Sequence, residues 1–274
     1  MQNQINNLII LVVLYGKNTW QSETLRTLAQ CENYNFQLLV WNNGPKGLLE
    51  QDSLWLAERF PRYDIKETLE NISLSKLYNR FILSYPSQKY VILDDDSEIN
   101  SLYLNDVVNY IGSGVAVPII KVQNVECGPK VNNRYKCSPF KPDDRVEAIT
   151  SGIVISNKIT DAVLNIYKDV FDERFGFYGV DTSFFWRLKK MYMSDKIETI
   201  HPLNHSLSRL TDEPKNIKKF RRKERSIDVA LQIRYYSESK LYDFIRVIAS
   251  ALLGRNKLNA YYIMRYFIVG HHYK

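Results

Sequence analysis

The chain contains 274 residues, of which 45% are hydrophobic and 24% are charged. This length and composition exclude a short peptide-binding module and a disordered chain, and they suit one large α/β domain with an appendage. The formal net charge of +7 is uneven, because residues 211–274 carry 14 Lys and Arg against 6 Asp and Glu, which indicates that the tail meets an anionic surface.

The N-terminal segment and the cysteines give information on the cellular compartment of the protein. The apolar stretch at residues 8–14 has no basic region before it and no small-residue cleavage site, and it is too short to span a bilayer. We therefore expect a first β-strand. Cys31, Cys127 and Cys137 form no CxxC pair, so neither a disulfide framework nor a zinc ribbon is indicated, and a reducing cytosol fits best.

Strand and helix patterns alternate along the first half of the chain. Short apolar runs that end in polar or glycine-containing turns predict strands at residues 8–14, 37–41, 90–93, 114–118 and 149–156. Helical patterns lie between several of them, at residues 19–31, 48–60 and 73–85. The alternation predicts an α/β fold with a mostly parallel central sheet and helices on both faces, and ligands bind such sheets at the carboxyl ends of the strands.

The later part of the chain changes character twice. Residues 121–145 contain several Pro and Gly residues and no clear period, which predicts a long loop that acts as a lid or a binding loop. After Pro214 the basic run KNIKKFRRKER precedes two helical patterns, the first of which places an apolar face among basic residues. That face consists of Leu241, Phe244, Ile245, Ile248 and Leu252. We therefore expect a domain of residues 1–215 and a basic, amphipathic helical region of residues 216–274.

Three consecutive aspartates, Asp94, Asp95 and Asp96, follow the apolar run in YVILDDDS. Adjacent carboxylates repel one another, and a divalent cation that takes oxygen ligands from them relieves the repulsion. Because alternate residues of an extended segment point the same way, Asp94 and Asp96 can face one site while Asp95 points elsewhere. A solvated acidic turn or a helix N-cap is the alternative, but the strand places these carboxylates at the ligand-binding edge of the sheet.

Two later segments carry further candidate residues. In FGFYGVDTSFFWRL, Asp181 follows an aromatic, glycine-containing turn and opens a helical pattern, so it is either an N-cap or a general base toward an acceptor hydroxyl. In HPLNHSL, Pro202 disfavours a continuous helix through His201 and His205. One imidazole could complete a metal site, but a histidine taken alone is more often a surface or core residue.

These features, in this order, resemble the family 2 glycosyltransferases of the GT-A fold, and within them bacterial rhamnosyltransferase-like enzymes, over about residues 8–210. VILDDDS is similar to the family's DxD motif, ITSGIVIS to its Ser-Gly segment, YGVDTSFFWRL to the segment with the catalytic base and LNHSL to its late histidine. The donor half departs from the family, because Asn42 stands at an aspartate position and Ser73 and Phe81 stand at glycine positions.

The resemblance implies roles for individual residues. It makes Asp181 the catalytic base, and it makes Asp94, Asp96 and His205 the ligands of Mg²⁺ or Mn²⁺. The residues implied for the donor nucleotide are Tyr15, Asn42, Asn71, Asn79, Asp94 and Asp95. The residues implied near the donor sugar or the acceptor are Ser151, Gly152, Tyr178 and Arg187.

The implied reaction is an inverting, metal-dependent transfer from a UDP-, dTDP- or GDP-sugar to a hydroxyl of a glycan acceptor. With the basic, amphipathic tail, we expect a cytoplasmic enzyme bound peripherally to the inner face of the cell membrane. Its acceptor would be linked to a polyprenyl diphosphate, as in the synthesis of O-antigen or capsule. The alternative for the tail is a helical cap on the catalytic domain or the interface of a homo-oligomer.

Other classes of function remain open. A phosphatase of the haloacid dehalogenase type also delivers Asp-x-Asp from an apolar strand, but usually near the N-terminus, and a nucleotidyltransferase also uses paired aspartates. A nucleic-acid-binding protein could use KKFRRKER as a phosphate contact. The acidic candidate metal site at residues 94–96 lies in a nearly neutral domain, which disfavours that role. We therefore expect no nucleic-acid partner.

Overall fold

The computed structural model describes residues 6–31, 35–122, 125–205 and 215–274. The strands are β1 Asn6–Leu14, β2 Gln37–Asn42, β3 Tyr63–Glu67, β4 Ser87–Asp94, β5 Ser97–Glu98, β6 Val115–Val122, β7 Val125–Gly128, β8 Lys130–Val131, β9 Arg134–Tyr135, β10 Val146–Glu147, β11 Ile153–Ser156 and β12 Ile197–His205. The helices are α1 Glu23–Ala29, α2 Glu50–Ala57, α3 Leu74–Ser84, α4 Ser101–Asn109, α5 Asn157–Tyr167, α6 Val180–Lys190, α7 Lys215–Tyr236, α8 Lys240–Leu252 and α9 Ala260–Val269.

One large sheet forms the centre of the molecule, with the strand order β3-β2-β1-β4-β11-β6-β12-β5 and with β7 paired to β6. The strand β1 runs parallel to β2 and β4, and β6 runs parallel to β12. Between these two parallel groups, β11 is antiparallel to both β4 and β6. The prediction of a mostly parallel α/β sheet is therefore confirmed.

Both faces of the sheet are buried under other elements. Successive residues of β1 alternate between two hydrophobic clusters, with Ile9 and Leu11 in one and Leu8 and Ile10 in the other. Because a strand that is covered on both faces needs apolar residues throughout, β1 is readable from the sequence as an unbroken apolar run.

Several elements differ from the sequence prediction. The edge strand β3 is missing from it because its sequence, YDIKE, is largely polar and exposed. The predicted helix at residues 19–31 is a short 3-10 turn, Thr19–Gln21, followed by α1, and only the second half of the predicted strand at residues 149–156 is extended. The predicted long loop contains β7, β8 and β9, which pair in short antiparallel ladders.

The C-terminal helices form an extension of the α/β core. Ile227 and Leu231 of α7 and Ile263 of α9 are buried in the same hydrophobic cluster as Ile9 of the central sheet. The helix α8 contains no buried residue and lies on the outside of this layer. None of the helices within the described part of the chain is long and apolar enough to cross a membrane.

Candidate functional site

A cavity of about 770 Å³ lies at the carboxyl ends of β1 and β4. Asp94, Asp95 and Asp96 line it where β4 ends, and Asp181 lines it from the first turn of α6. Two acidic segments that are more than 80 residues apart in the sequence therefore share one cavity. Its position agrees with the expectation that ligands of an α/β sheet bind at the carboxyl ends of the strands.

The backbone of the aspartate run is fixed from two sides. The amide of Asp94 donates a hydrogen bond to Ser151 Oγ at 3.0 Å, and its carbonyl oxygen accepts one from Thr24 Oγ1 at 2.5 Å. The carbonyl oxygen of Asp95 accepts a hydrogen bond from Ser22 Oγ at 3.1 Å. These bonds fix the backbone at the carboxyl end of β4, from which the three carboxylates extend into the cavity.

The middle aspartate has a cationic partner of its own. Lys17 Nζ lies 2.6 Å from Asp95 Oδ1, and the two side chains form an ion pair at the margin of the cavity. Burial raises the pKa of Asp95, and the hydrogen bond from Lys17 opposes that rise.

The electrostatics around Asp94 fit a divalent cation. Burial, together with the repulsion from the carboxylates of Asp96, Asp181 and Asp95, raises the pKa of Asp94 to about 8. A nearby cation favours the ionised form of such a carboxyl group, so a metal ion would relieve the repulsion.

The described side chains do not by themselves form a complete metal site. No group of three His, Cys, Asp or Glu side chains in the described ranges is arranged to hold a metal ion. Asp94 and Asp96 could therefore hold Mg²⁺ or Mn²⁺ together with phosphate oxygens of a substrate, which is a common way for proteins to bind Mg²⁺.

The segment before α6 brings Asp181 to the same cavity. The helix N-cap is Gly179, with a φ of 82°, so Asp181 lies in the first turn and is not the N-cap itself. The hydroxyl of Thr150 donates a hydrogen bond to the Asp181 carboxylate. A side chain at Gly179 would clash with Asp228, because an added Cβ would lie 2.1 Å from Asp228 Oδ1. The positive φ and the close approach of Asp228 both favour glycine at this position.

Three solved structures resemble most of this chain. They are TarS from S. aureus in complex with UDP-GlcNAc (15% identity, TM-score 0.52, 87% of this chain and 69% of that chain), glucosyl-3-phosphoglycerate synthase from Mycobacterium tuberculosis in complex with Mn²⁺, UDP and phosphoglyceric acid (9%, 0.51, 82% and 76%) and GalNAc-T7 with UDP, GalNAc and Mn²⁺ (10%, 0.54, 93% and 59%). The chain has the GT-A fold of glycosyltransferases. No protein-family model and no curated protein sequence matches it. At these identities the likeness establishes the fold alone.

Within this GT-A fold, the sequence-predicted residues divide into two groups. Besides the four aspartates, the structure brings Tyr15, Asn71, Ser151 and Tyr178 to the cavity. Four other predicted residues do not line it, and each has a structural environment of its own.

Asn42 and Asn79 both have buried amide groups that bond to neighbouring segments. Asn42 Nδ2 donates to Glu67 Oε1 at 2.8 Å, and the next residue, Asn43, lines the cavity in its place. Asn79 Oδ1 accepts a hydrogen bond from the amide of Phe171 at 2.9 Å, so it fixes the segment that precedes α6. Neither asparagine lines the cavity, and the prediction that both contact a nucleotide stays a prediction.

Gly152 and Arg187 are enclosed by the protein. Gly152 has a φ of 86°, and an added Cβ would lie 2.4 Å from Leu203 Cδ1. The Arg187 side chain is only 2% exposed and pairs with Asp169 at 2.9 Å and Asp172 at 3.7 Å. Gly152 is enclosed by packing and Arg187 by a buried ion network, and neither lines the cavity. The prediction that they lie near a sugar stays a prediction.

The two histidines of HPLNH lie on β12. The backbone of His205 pairs with Ser97 on β5, next to the aspartate run, but its side chain lies outside the described part of the structure. His201 Nδ1 lies 2.6 Å from Asp106 Oδ2 in a partly exposed pair. The prediction that His205 is a metal ligand therefore stays a prediction.

The C-terminal extension contributes residues that the sequence did not single out. Phe220, Arg221 and Asp228 of α7 line the cavity, and so does Lys274. The sequence carries no local signal for this arrangement, because it depends on contacts across most of the chain. Lys274 Nζ, for example, donates a hydrogen bond at 2.9 Å to the carbonyl oxygen of Asn71.

Proposed function

We propose that this protein is a metal-dependent glycosyltransferase that moves a sugar from a nucleoside-diphosphate donor to a hydroxyl group of a glycan acceptor. The observation that carries the proposal is the cavity that Asp94, Asp95, Asp96 and Asp181 line at the carboxyl edge of a GT-A sheet. The solved structures with this fold include complexes with UDP-GlcNAc and with UDP and Mn²⁺, which supports a nucleotide-sugar donor and a divalent cation.

The donor is proposed to bind on the β1 and β4 side of the cavity. Asp94 and Asp96 would hold Mg²⁺ or Mn²⁺, with His205 as a further candidate ligand. When bound, the metal ion would offset the negative charge that builds on the departing nucleoside diphosphate. Asn43 supports this side of the cavity, because its Nδ2 donates to Asn71 Oδ1 at 3.1 Å and both residues line the wall.

Asp181 is the proposed general base. It would take the proton from the acceptor hydroxyl while that oxygen attacks the anomeric carbon from the face opposite the leaving group, which gives inversion of configuration. Thr150 orients the carboxylate by its hydrogen bond. Asp228 also lines the cavity and accepts a hydrogen bond from Gln232 at 2.5 Å. The anomeric configuration of the product tests the assignment of Asp181.

The proposed acceptor is a lipid-linked glycan at an anionic membrane surface. Part of the apolar face of α8 packs inward, where the rings of Phe244 and Phe267 have centroids 4.3 Å apart. Leu241, Ile245 and Leu252 form a remaining stripe that is 72%, 58% and 72% exposed. Exposed basic residues lie around it, namely Lys240, Arg246, Arg255 and Lys257. Apolar side chains flanked by Lys and Arg suit the headgroup region of an anionic leaflet, as on the inner face of a cell membrane.

A nucleic-acid-binding role has less support, because the basic run of α7 is used within the protein. Arg222 Nη2 donates to the carbonyl oxygen of Leu258 at 2.8 Å, and Lys223 Nζ lies 3.7 Å from the centroid of the Tyr273 ring. Arg221 lines the cavity. These contacts engage three basic side chains of the run within the protein.

A screen of nucleotide sugars tests the proposed function. UDP-, dTDP- and GDP-sugars would be incubated with the protein and Mn²⁺ or Mg²⁺, and release of the nucleoside diphosphate would be measured with and without a chelator. We expect metal-dependent release from at least one donor. Release of inorganic phosphate from phosphomonoesters would favour a phosphatase instead, and release of pyrophosphate from a nucleoside triphosphate would favour a nucleotidyltransferase.

A further inference from the structure

A lysine from the C-terminal segment lies in the wall of the cavity. Lys274 Nζ donates a hydrogen bond to the carbonyl oxygen of Asn71 at 2.9 Å and lies 5.1 Å from the centroid of the Phe177 ring. Neither of these partners carries a formal negative charge. Among the described residues, this ammonium group therefore has no carboxylate partner.

The charge balance of the cavity indicates that this lysine could bind an anionic ligand. Five aspartates line the cavity, namely Asp94, Asp95, Asp96, Asp181 and Asp228. Lys17 is already paired with Asp95, and the basic residues of the described cavity lining are Arg221 and Lys274. A diphosphate that enters meets repulsion from the carboxylates, and one divalent cation supplies only two positive charges. Lys274 supplies a positive charge in addition to those of the cation and of Arg221.

The segment that carries Lys274 is firmly docked. The carboxylate of Glu224 on α7 accepts hydrogen bonds from His272 Nε2 at 2.8 Å and from the Tyr273 hydroxyl at 2.7 Å, and the side chains of Glu224 and His272 are 1% and 2% exposed. The amide of His272 also donates to the carbonyl oxygen of Arg174 at 2.8 Å.

The segment before α6 is shaped to receive this imidazole. A side chain at Gly176 has no room, because an added Cβ would lie 2.3 Å from His272 Nδ1. The lysine therefore reaches the cavity from a support that is built into the core, two residues beyond a buried histidine.

We propose that Lys274 binds phosphate oxygens of the nucleoside-diphosphate donor and that Glu224 is a positioning residue that fixes the segment carrying it. The inference rests on the proposed function. The donor is favoured over a phosphate on the acceptor because Lys274 bonds to Asn71, whose side chain is held by Asn43 next to the end of β2. Asn43 and Asn71 belong to the wall of the cavity on which the donor is proposed to bind.

Nucleotide binding by calorimetry tests the inference without requiring turnover. Wild-type protein, Lys274→Met, Lys274→Arg and the exposed control Lys158→Met would be titrated with UDP, dTDP and GDP in the presence of Mn²⁺. The matching nucleosides would be titrated in parallel. A charge-assisted hydrogen bond is strong enough that Lys274→Met should weaken diphosphate binding about tenfold or more. Nucleoside binding should be unchanged, Lys274→Arg should restore part of the loss, and Lys158→Met should bind as wild type does.

Glu224→Gln provides a second variant for the positioning role. It should weaken binding of the diphosphate but not of the nucleoside, in the same direction as Lys274→Met, and thermal unfolding would establish that the protein remains folded. A loss of the same size for nucleoside and diphosphate would overturn the inference, because it would mean that the segment only shapes the pocket.

The failures of the inference and of the proposed function are distinguishable. If the wild-type protein binds a nucleoside diphosphate and Lys274→Met binds it equally well, the inference is wrong and the proposed function stands. Unchanged nucleotide affinity with weaker use of a phosphate-bearing acceptor would likewise overturn the donor assignment. If the wild type binds none of the three diphosphates, the proposed function itself fails.

Discussion

Ser151 accepts a hydrogen bond from the backbone amide of Asp94 at 3.0 Å. Its neighbour Thr150 donates a hydrogen bond to the carboxylate of Asp181. Two adjacent residues therefore join the aspartate run to the proposed base, although these two acidic segments lie far apart in the sequence. The hydroxyl of Ser97, 2.8 Å from that of Ser151, extends the connection to β5.

Thr150→Val should separate the orientation of Asp181 from donor binding. Valine keeps the shape of threonine but removes the donor, and a hydrogen bond to a charged group contributes about 1.5–3 kcal/mol. We expect kcat to fall about tenfold or more while affinity for the nucleoside diphosphate is unchanged. Steady-state kinetics and calorimetry on the same preparation check this, with Thr199→Val as a control away from the cavity. Unchanged kcat would show that Thr150 does not position the base.

Asp96→Ala should abolish the metal-dependent part of nucleotide binding. Its carboxylate lies in the cavity beside Asp94, and removing a ligand charge from a divalent-cation site weakens both the ion and the phosphates that it holds. Titration with UDP, dTDP or GDP, with Mn²⁺ and with chelator, measures the effect against the exposed control Asp143→Ala. Equal stimulation by Mn²⁺ in Asp96→Ala and wild type would contradict the assignment.

The sequence allowed the prediction of the parts of the site that depend on local pattern. An apolar strand followed by charge located Asp94, Asp95 and Asp96, and an aromatic, glycine-containing turn before a helical pattern located Asp181. Asn43 was missed in favour of Asn42 because only the register of β2 with β1 decides which of the two faces the cavity. Lys274 and Asp228 were missed because the packing of the C-terminal extension is long-range. The ion pairs of Arg187 with Asp169 and Asp172 are not predictable from the sequence, because a buried ion network has no local sequence signature.

That buried network should make stability depend on acid pH. Burial alone would raise the pKa of Asp172, but hydrogen bonds from Arg174 and Tyr236 and the charge of Arg187 outweigh it, so the pKa lies below its usual value. The group therefore adds stability that is present above its unfolded-state pKa of about 4 and is lost as the pH falls through the lower folded-state pKa.

Asp172→Asn removes this contribution and leaves Arg187 with a weaker set of partners. Breaking a buried ion pair costs about 3–5 kcal/mol, so we expect a loss of that order in the free energy of unfolding at pH 7. The variant should also show a flatter decline of stability below about pH 4. Urea unfolding between pH 2 and 7 measures both effects. The exposed Asp195→Asn serves as the control, and a variant as stable as this control would argue against the network.

The exposed stripe of α8 should govern membrane binding. Deleting residues 216–274 is unsuitable as a test, because Ile227, Leu231 and Ile263 belong to the core. Ile245→Glu, alone and combined with Leu241→Ser, should instead reduce binding to vesicles that contain anionic lipid about tenfold or more, since one buried aliphatic side chain contributes about 1.5–3 kcal/mol. Ile111→Glu is the matched control, because Ile111 is 99% exposed in a distant loop. Unchanged co-sedimentation of both α8 variants would rule out this surface.

The most direct test of the central claim compares wild-type protein with Asp181→Asn, using the donor identified by the screen together with a glycan acceptor and Mn²⁺. Asparagine keeps the size of the side chain and removes the base, and general base catalysis typically contributes about 10²–10⁴-fold to a rate. We predict that Asp181→Asn binds the nucleoside diphosphate as wild type does but transfers sugar at least about 100-fold more slowly, with an inverted anomeric centre in the wild-type product. Transfer by Asp181→Asn at the wild-type rate would contradict the account.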